Sequence, residues 1–394
     1  MKALKIAEGI YDVGATDWNV RDFHGYSTEN GSTYNAFLII DEKVTLIDTV
    51  KVDYLDQLMA KISSVIDPAK IDYIVSNHTE MDHSGALPRV LHRIGKDIPV
   101  YCSKMGQKNL ASHFGSKINL RPVADGEELS LGKRTLKFFE TRMIHWPDSM
   151  FSYLVEDKIL FSSDGFGQHY AGPERFDDEI GEAIMPYAKK YFANILWLYA
   201  PLIKGVLNKV RDLNLPIEMI CPDHGILWRQ DPGKIFEAYV RWCELQPQPD
   251  KALVVYDTMW HSTEAMAEAI VAGMAAEGIS AKPMHLRTCH RSDVVTEAFD
   301  AKALVVGSPT LNNGLFPTVA DFLTYLKGLK PKNKLAASFG SFGWSGEAAK
   351  LVENELKTMG LDLVEDPLKL QYVPNREDLE KCFEFGRRIA RAMR

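Results

Sequence analysis

The sequence predicts two α/β domains, an N-terminal sandwich with a mixed sheet and a C-terminal doubly wound parallel sheet. The chain has 394 residues, which suits two hydrophobic cores better than one. Two prolines in the polar run CELQPQPDK (243–251) end a helical pattern, because proline lacks an N–H and disfavours helix just before itself. The pattern of apolar residues also changes across this run. We therefore expect domains at 1–248 and 249–394, with a linker at about 245–251.

Short strand-like runs bounded by turn residues characterise the N-terminal half. Several are almost continuously apolar, which is typical of sheets covered on both faces. Helical runs lie between some of them, notably DYLDQLMAKISSVI (53–66) and residues 187–211. This mixture predicts an α+β or α/β sandwich. The strand-like runs are YNAFLIID, KVTLIDTV, IDYIVSN, IPVYCS, TLKFFET, FSYLVED, KILFSSD and IEMICPD.

Strands and helices alternate regularly in the C-terminal half. ALVVYD, SAKPMHL, ALVVGS, LAASFG and LKLQYV are each followed by a helical run, from TEAMAEAIVAGMAAEG to REDLEKCFEFGRRIARAM. Five strands alternating with five helices in about 143 residues predict a doubly wound five-stranded parallel sheet.

Composition excludes several classes of function. The 46 basic and 53 acidic residues give a net charge of −7, which argues against nonspecific nucleic-acid binding. The stretch MKALKIAEGIYDVG contains no apolar run of the kind found in signal peptides, so we do not expect a secretory signal there. The most apolar stretch, YFANILWLYAPLI (191–203), is too short to span a bilayer, so we expect a buried helix there and no membrane partner.

The cysteines indicate a reducing compartment, and hence the cytoplasm. They are odd in number and scattered, without a C-x-x-C pair, so a disulfide framework, an Fe–S cluster and a rubredoxin-type iron site are not expected. Buried small apolar side chains are the expected role of Cys102, Cys221, Cys243, Cys289 and Cys382.

Metal-binding side chains gather at four predicted strand ends. HTEMDH (78–83) follows the strand IDYIVSN, and three further candidates follow other strands. A single structural zinc uses four ligands, whereas seven suit two metals with one bridging carboxylate. A carboxylate-rich set without thiolates favours iron or manganese over zinc. Asp48, at another strand end, is a candidate for orienting a ligating imidazole. The seven candidates are His78, Glu80, Asp82, His83, His145, Asp164 and His224.

Three loops of the C-terminal half predict a flavin site. TMWHST (258–263) precedes a helix, whose N-terminal N–H groups and dipole favour an anion. SPTLNNGLFPT and SFGWSGEA follow the third and fourth strands, at the edge where ligands bind in such sheets. No G-x-G-x-x-G lies in 252–275, which disfavours NAD(P) or FAD. The candidates are Thr258, Met259, Trp260, His261, Ser262, Thr263, Pro309, Thr310, Leu311, Asn312, Asn313, Gly314, Ser341, Phe342, Gly343, Trp344 and Gly346.

The motifs HTEMDHSG, HWPDSMFSYL, LFSSDGFGQH and CPDHG resemble the metallo-β-lactamase fold in its flavodiiron branch, close to the rubredoxin:oxygen oxidoreductases of anaerobes. The branch marker is Glu80 together with a flavodoxin-like C-terminal module. The resemblance implies an αββα sandwich and FMN in the second domain. It also implies one iron on His78, Glu80 and His145, a second on Asp82, His83 and His224, and a bridging Asp164. His24 and Tyr191 are implied near the site, although surface or packing roles are equally compatible.

A metal pair and a flavin site in one chain together predict a reductase. A redox metal pair must be reduced again after each turnover, and a flavin can supply the electrons. A diferrous pair and a reduced flavin together hold four electrons, which matches O₂ reduction to water, while two suffice to couple two NO into N₂O. The chain lacks its own rubredoxin-like site, so we expect an external donor, and the resemblance suggests rubredoxin and a head-to-tail homodimer. The alternatives are a binuclear zinc hydrolase with an accessory flavin domain, and a gas sensor without turnover.

Overall fold

The computed structural model describes all 394 residues, Met1–Arg394. The chain forms two compact units. The first comprises Met1–His24, Thr28–Tyr191 and Tyr199–Cys243, and the second comprises Gly25–Ser27, Phe192–Leu198 and Glu244–Arg394.

The first unit is built on two sheets. Strands are numbered along the chain, and those of the larger sheet are β1 (Leu4–Ala7), β2 (Ile10–Asp12), β7 (Phe37–Ile39), β8 (Thr45–Ile47), β9 (Tyr73–Ser76), β10 (Val100–Ser103) and β11 (Leu120–Val123), which are neighbours in that order. The second sheet has the order β12 (Glu128–Ser130), β13 (Thr135–Glu140), β14 (Met150–Leu154), β15 (Ile159–Phe161) and β16 (Met219–Cys221). One short pair, β3 (Ala15–Asp17) with β6 (Ser32–Tyr34), lies outside these sheets. Two further short strands are β4 (Asp22–Phe23) and, in the second unit, β5 (Tyr26–Ser27).

Helices cover the first sheet on its outer face, and the two sheets enclose a common core. That core joins residues of both sheets, such as Phe37 and Val75 with Phe138 and Phe161. A separate cluster, including Leu58 and Val90, packs helices on the first sheet. The helices of the unit are α1 (Leu55–Ser63), α2 (Met81–Ser84), α3 (Leu87–Ile94), α4 (Lys104–Phe114), α5 (Asp177–Ile180), α6 (Met185–Tyr191), α7 (Ala200–Asp212) and α8 (Pro232–Cys243). The predicted αββα sandwich is confirmed.

The second unit is a parallel sheet of the predicted type. Its order is β18 (Ser280–His285), β17 (Gln248–Tyr256), β19 (Ala301–Gly307), β20 (Leu335–Phe342) and β21 (Asp362–Leu363), with β22 (Leu368–Gln371) also pairing to β20. This is the 2-1-3-4-5 order, with a fifth strand in two pieces. The helices are α9 (Ser262–Ala276), α10 (Arg291–Asp300), α11 (Pro317–Gly328), α12 (Ala348–Thr358) and α13 (Arg376–Ala392). No helix of the protein is long and apolar enough to cross a membrane.

Two expectations about local structure are corrected. The helix expected over 187–211 is interrupted, because α6 ends at Tyr191 and a π-helical turn (Phe192–Leu196) and a 3₁₀ turn (Trp197–Tyr199) precede α7. Pro201 in the first turn of α7 has no N–H to continue an earlier helix. The linker expected at about 245–251 is shorter, because β17 already begins at Gln248, which pairs with Ala301 of β19.

Candidate metal centre and flavin site

The structure brings the seven predicted metal ligands into one buried cluster. Four come from the turn after β9 and helix α2, where Glu80 immediately precedes the helix. The others follow β13, β15 and β16, so both sheets contribute strand ends. Strand ends can converge in this way because their backbones leave a sheet edge in different directions.

The seven side chains form two groups that share Asp164. In the first group, His145 Nε2 lies 2.9 Å from both Glu80 Oε2 and Asp164 Oδ2. His78 Nε2 lies 3.3 Å from the same Asp164 oxygen.

The second group faces the other oxygen of Asp164. Asp82 Oδ2 lies 3.2 Å from the Nε2 atoms of both His83 and His224. Those two nitrogens are 3.1 Å apart and lie 3.5 and 3.6 Å from Asp164 Oδ1.

The backbone conformation beside Asp164 and His224 helps to orient these two side chains. Ser163, just before Asp164, has a φ of 49°, and Gly225, just after His224, has a φ of 82°. A Cβ at Gly225 would lie 1.7 Å from Gln168 Oε1, so only glycine fits there. Behind the ring, His224 Nδ1 donates to the carbonyl oxygen of Thr33 at 2.6 Å, which turns Nε2 toward the cluster.

The buried carboxylates of the cluster favour the binding of cations. Both carboxylate oxygens of Asp82 and Asp164 are buried without a hydrogen-bond partner, as is His78 Nε2. Burial alone would raise the pKa of the two carboxyl groups, but the surrounding imidazoles hold it well below its usual range. Unpartnered buried charges are costly, and metal ions would take the place of the imidazole protons. The residues therefore fit a pair of metal ions.

Three side chains near the cluster were not singled out from the sequence. His169 is buried, its ring centroid lies 4.6 Å from that of His224, and its Nδ1 lies 2.8 Å from Ser32 Oγ. Phe23 packs on His169 at 4.8 Å between ring centroids. Burial, and next the nearby carboxylate of Asp48, raise the pKa of Asp223 well above its usual range. His169 lies within the motif LFSSDGFGQH, and Asp223 within CPDHG, so position beside a ligand motif was the available signal.

The residues expected near the cluster differ in placement. Tyr191 is buried, with its ring centroid 5.1 Å from that of His169 and 6.0 Å from that of His224. His24 is exposed and packs edge-on against Phe23, with 4.7 Å between ring centroids. Asp48 accepts hydrogen bonds from the backbone N–H and the side-chain amide of Asn77, at 2.7 and 2.6 Å. Its carboxylate therefore stabilises the turn after β9, at the residue before His78.

A cleft of about 620 Å³ lies at the carboxyl ends of β17, β19 and β20. These strand ends flank the point at which the strand order reverses in a 2-1-3-4-5 sheet, where ligands bind in such folds. Twelve of the seventeen predicted flavin contacts line it, together with Ser345 and Tyr372, which the sequence reasoning missed. The twelve are Met259, Trp260, Ser262, Pro309, Thr310, Leu311, Asn312, Asn313, Ser341, Phe342, Gly343 and Trp344.

The other five predicted contacts surround the cleft. Thr263 Oγ1 bonds Ser341 Oγ at 2.8 Å, and His261 Nδ1 bonds Glu264 at 2.5 Å. Gly314 closes a turn with the backbone of Leu311, and Gly346 packs under the ring of Phe342. Thr258 Oγ1 is buried without a partner.

The cleft fits FMN. The unpartnered Thr258 hydroxyl lies in the loop before the N-terminus of α9, where backbone N–H groups favour a phosphate. The indoles of Trp260 and Trp344 are 86% and 89% exposed, which leaves their faces free to border an aromatic ring. Arg287 supports the loop, donating to the carbonyl oxygen of Thr258 at 2.9 Å and pairing with Asp257 at 3.0 Å.

Fold and site together define the class: a flavin-dependent oxidoreductase with a two-metal centre in a β-lactamase-type sandwich. A family model described as ODP family beta lactamase matches residues 33–225, and a flavodoxin model matches residues 254–386. The chain is 47% identical over 392 residues to a nitric oxide reductase of Moorella thermoacetica, covering 98% of each chain.

Two solved structures share the whole architecture. The rubredoxin oxygen:oxidoreductase of Desulfovibrio gigas superposes with a TM-score of 0.96 at 45% identity, covering 100% of this chain and 98% of that one. The flavodiiron protein of Giardia intestinalis superposes with a TM-score of 0.95 at 36% identity, covering 100% and 97%. The chain belongs to the flavodiiron protein family. Its cofactors are FMN and a diiron centre.

Proposed function

We propose that the protein is a reductase of O₂ and/or NO that takes electrons from an external carrier, with rubredoxin as the donor. The observation that carries this proposal is the carboxylate-rich two-group cluster sharing Asp164, in a chain that also holds a flavin cleft. When bound, FMN and two ferrous ions supply up to four electrons, enough for O₂ + 4e⁻ + 4H⁺ → 2H₂O or for 2NO + 2e⁻ + 2H⁺ → N₂O + H₂O. The name of the Desulfovibrio gigas relative supports rubredoxin as donor.

We assign the ligands by the two groups. His78, Glu80 and His145 would hold one iron, Asp82, His83 and His224 would hold the other, and Asp164 would be shared between them. The two oxygens of Asp164 support this assignment, because Oδ2 faces the first group and Oδ1 the second. Glu80 contributes a hard anionic donor, which favours iron over zinc.

The side chains around the cluster also position the reaction. Thr33 and Ser32 hold the outer faces of His224 and His169. His145 and Glu80 keep about one fifth of their side-chain surface exposed, whereas His78, His83 and Asp164 are buried. We infer that a small gas approaches the cluster beside His145, the side from which solvent reaches these side chains.

A direct test combines metal analysis with gas uptake. Purified protein, reconstituted anaerobically with Fe²⁺ and FMN, is expected to hold two irons and one flavin per chain and to consume O₂ or NO continuously with reduced rubredoxin. Zinc binding without gas consumption would favour the binuclear hydrolase, which the comparisons do not favour. Oxidation that stops after a single turnover would favour a gas sensor.

We further propose a head-to-tail homodimer in the cytoplasm, in which the flavin of one subunit serves the irons of the other. Two-fold dimers are the commonest closed assembly, and the exposed indoles of Trp260 and Trp344 offer a surface to cover. The five cysteines form no disulfide and four of them are buried, which suits a reducing compartment. A subunit with a disrupted iron site (Asp164→Asn) is mixed with one of lowered FMN affinity (Thr258→Val with Thr263→Val), at an FMN concentration too low to load the second variant, and the mixture should regain activity. Two inactive parents that give an inactive mixed dimer would contradict electron transfer between subunits.

A further inference from the structure

The hydrogen bonds of the protein do not explain why the side chain of Asp223 is buried. It precedes His224 after β16, is 0% exposed, and neither carboxylate oxygen has a hydrogen-bond partner. Its backbone is well used, since its N–H donates to the carbonyl oxygen of Ser163 at 2.8 Å and its own carbonyl oxygen accepts from Asn35 N at 2.7 Å. A fully buried carboxylate without a donor is costly and therefore requires an explanation.

Two imidazoles face this carboxylate. Asp223 Oδ2 lies 3.6 Å from His78 Nδ1 and 3.9 Å from His83 Nδ1. The two rings lie side by side, with 4.9 Å between centroids and 37° between planes. His83 Nδ1 is itself buried without a hydrogen-bond partner, so an orphaned nitrogen and an orphaned carboxylate face each other.

The inner nitrogens of both rings face the cluster. His78 Nε2 points to Asp164 and His83 Nε2 to Asp82, at 3.3 and 3.2 Å. A neutral imidazole that binds a metal through Nε2 carries its proton on Nδ1. That proton needs an acceptor in a buried site. Ser163 Oγ, at 3.0 Å, can serve His78, but for His83 the facing acceptor is Asp223.

We propose that Asp223 is a positioning residue that holds the Nδ1–H of His83 in the second metal group and, together with Ser163 Oγ, that of His78 in the first. This inference rests on the ligand assignment proposed above. At 3.6 and 3.9 Å the contacts are longer than a full hydrogen bond, so the interaction is electrostatic. Cations bound at the cluster would favour the ionised form of Asp223, which then attracts both N–H groups. The single carboxylate fixes the tautomer of both rings and makes both better metal donors.

The arrangement is symmetrical about the metal pair. Asp164 lies between the two groups on the inside, while Asp223 lies behind the two rings on the outside. A change at Asp223 therefore affects both metals at once, whereas a partner of one ring alone would affect one metal.

The main test is the substitution Asp223→Asn, which keeps the size of the side chain and the backbone hydrogen bonds but removes the charge. The matched control is Asp148→Asn. Asp148 is also a buried carboxylate without hydrogen-bond partners, but it lies beside Gly106 and Cys102 and forms no ion pair with an imidazole. Affinities for Fe²⁺ and Zn²⁺ would be measured by chelator competition, and the reduction potential of the iron pair by titration monitored by EPR.

Asp223→Asn is expected to weaken binding of both metals by about 10- to 100-fold and to raise the reduction potential, because the rings donate less electron density. Asp148→Asn is expected to leave both quantities near those of the parent. The inference is overturned if Asp223→Asn binds both metals within twofold of the parent, or if the two variants behave alike. A parent protein that fails to bind two metals would instead contradict the proposed function.

A second measurement needs only the parent protein and so does not depend on the variant folding. With Zn²⁺ bound and histidine labelled with ¹⁵N, the Nδ1–H protons of His78 and His83 should resonate at low field and exchange slowly with water. Fast exchange of the His83 proton would overturn the inference, because a proton held by a buried carboxylate is protected.

Discussion

The metal cluster in the first unit and the flavin cleft in the second differ in how deeply their side chains are buried. The seven proposed ligands come from segments that follow four strands, and the facing atoms of neighbouring ligands lie 2.9–3.9 Å apart. The cleft is instead lined by three surface loops, with Trp260 and Trp344 almost fully exposed. A metal ion needs a few fixed atoms at short range, so burial and rigid strand ends suit it. A flavin binds through a large planar surface and exchanges electrons with a partner, so an open edge suits it.

The two sites also differ in the number of buried polar atoms that have no hydrogen-bond partner. The cluster concentrates unpartnered carboxylate oxygens, on Asp82, Asp164 and Asp223. The flavin cleft leaves one comparable hydroxyl, that of Thr258. Loss of a ligand should therefore matter more in the metal cluster than loss of one contact in the cleft.

The largest effect is expected for Asp164→Asn, which removes the shared carboxylate. Iron content should fall below one per chain and gas reduction by more than about 100-fold, because both groups lose a donor. Iron analysis, flavin absorbance and gas uptake would be measured together. FMN content should be unchanged, and loss of flavin with retention of iron would mean that the two sites are assigned to the wrong domains.

A smaller effect is expected for Glu80→His, which converts the first group to an imidazole-rich set. Iron retention and turnover should fall by about tenfold, and preference for Zn²⁺ over Fe²⁺ should rise, because a hard oxygen donor is lost. Competition between the two metals would measure the change. Unchanged iron content and turnover would contradict the role given to Glu80, and Glu42→His, at an exposed position, controls for the substitution itself.

Thr258→Val together with Thr263→Val should weaken FMN binding by about 10- to 30-fold, at about 1 kcal/mol for each hydroxyl removed. Thr258 Oγ1 is unpartnered beneath the loop, and Thr263 Oγ1 holds Ser341 of the cleft. Quenching of flavin fluorescence gives the dissociation constant. Thr288→Val is the control, since its hydroxyl bonds locally, to the carbonyl oxygen of His285 and the thiol of Cys289. Iron content must stay constant if the two sites are independent.

The smallest effect is expected at Glu297. Its carboxylate is paired with two lysines, whereas those of Asp82 and Asp164 in the metal cluster have no hydrogen-bond partner. Burial would raise the pKa of Glu297, but hydrogen bonds from Lys251 and Lys282, at 2.6 and 2.7 Å, lower it to about 2. A lowered folded-state pKa contributes stability above the usual value of 4.5, and that stability is lost as pH falls toward about 2.

Glu297→Gln should therefore lower the free energy of unfolding at neutral pH by only about 0.5–1 kcal/mol, because the pair is partly exposed to solvent. Chemical denaturation at several pH values would show a flatter dependence between pH 4.5 and 2 than the parent. An unchanged slope in that window would show that the ion pairs contribute nothing.

Much of the architecture was predictable from local patterns. The strand-like runs such as IDYIVSN and TLKFFET contain β9 and β13, and the alternation in the C-terminal half matches the 2-1-3-4-5 sheet. The interruption at Phe192–Tyr199 was not predictable, since apolar residues without a break favour a helix until Pro201 ends the pattern. The start of β17 at Gln248 was missed because two prolines usually mark a linker, and only pairing with β19 holds them in a strand.

The sequence by itself determined which side chains stand at strand ends, because a short apolar run followed by a polar turn is a local property. It therefore indicated HTEMDH, His145, Asp164 and His224 as a common set. The tertiary structure alone decided which atoms face one another: Asp164 between two groups, Asp48 on Asn77, and Asp223 behind His78 and His83. These relations join residues tens of positions apart, up to 145 between His78 and Asp223. Their geometry depends on how two sheets pack, which no local pattern records.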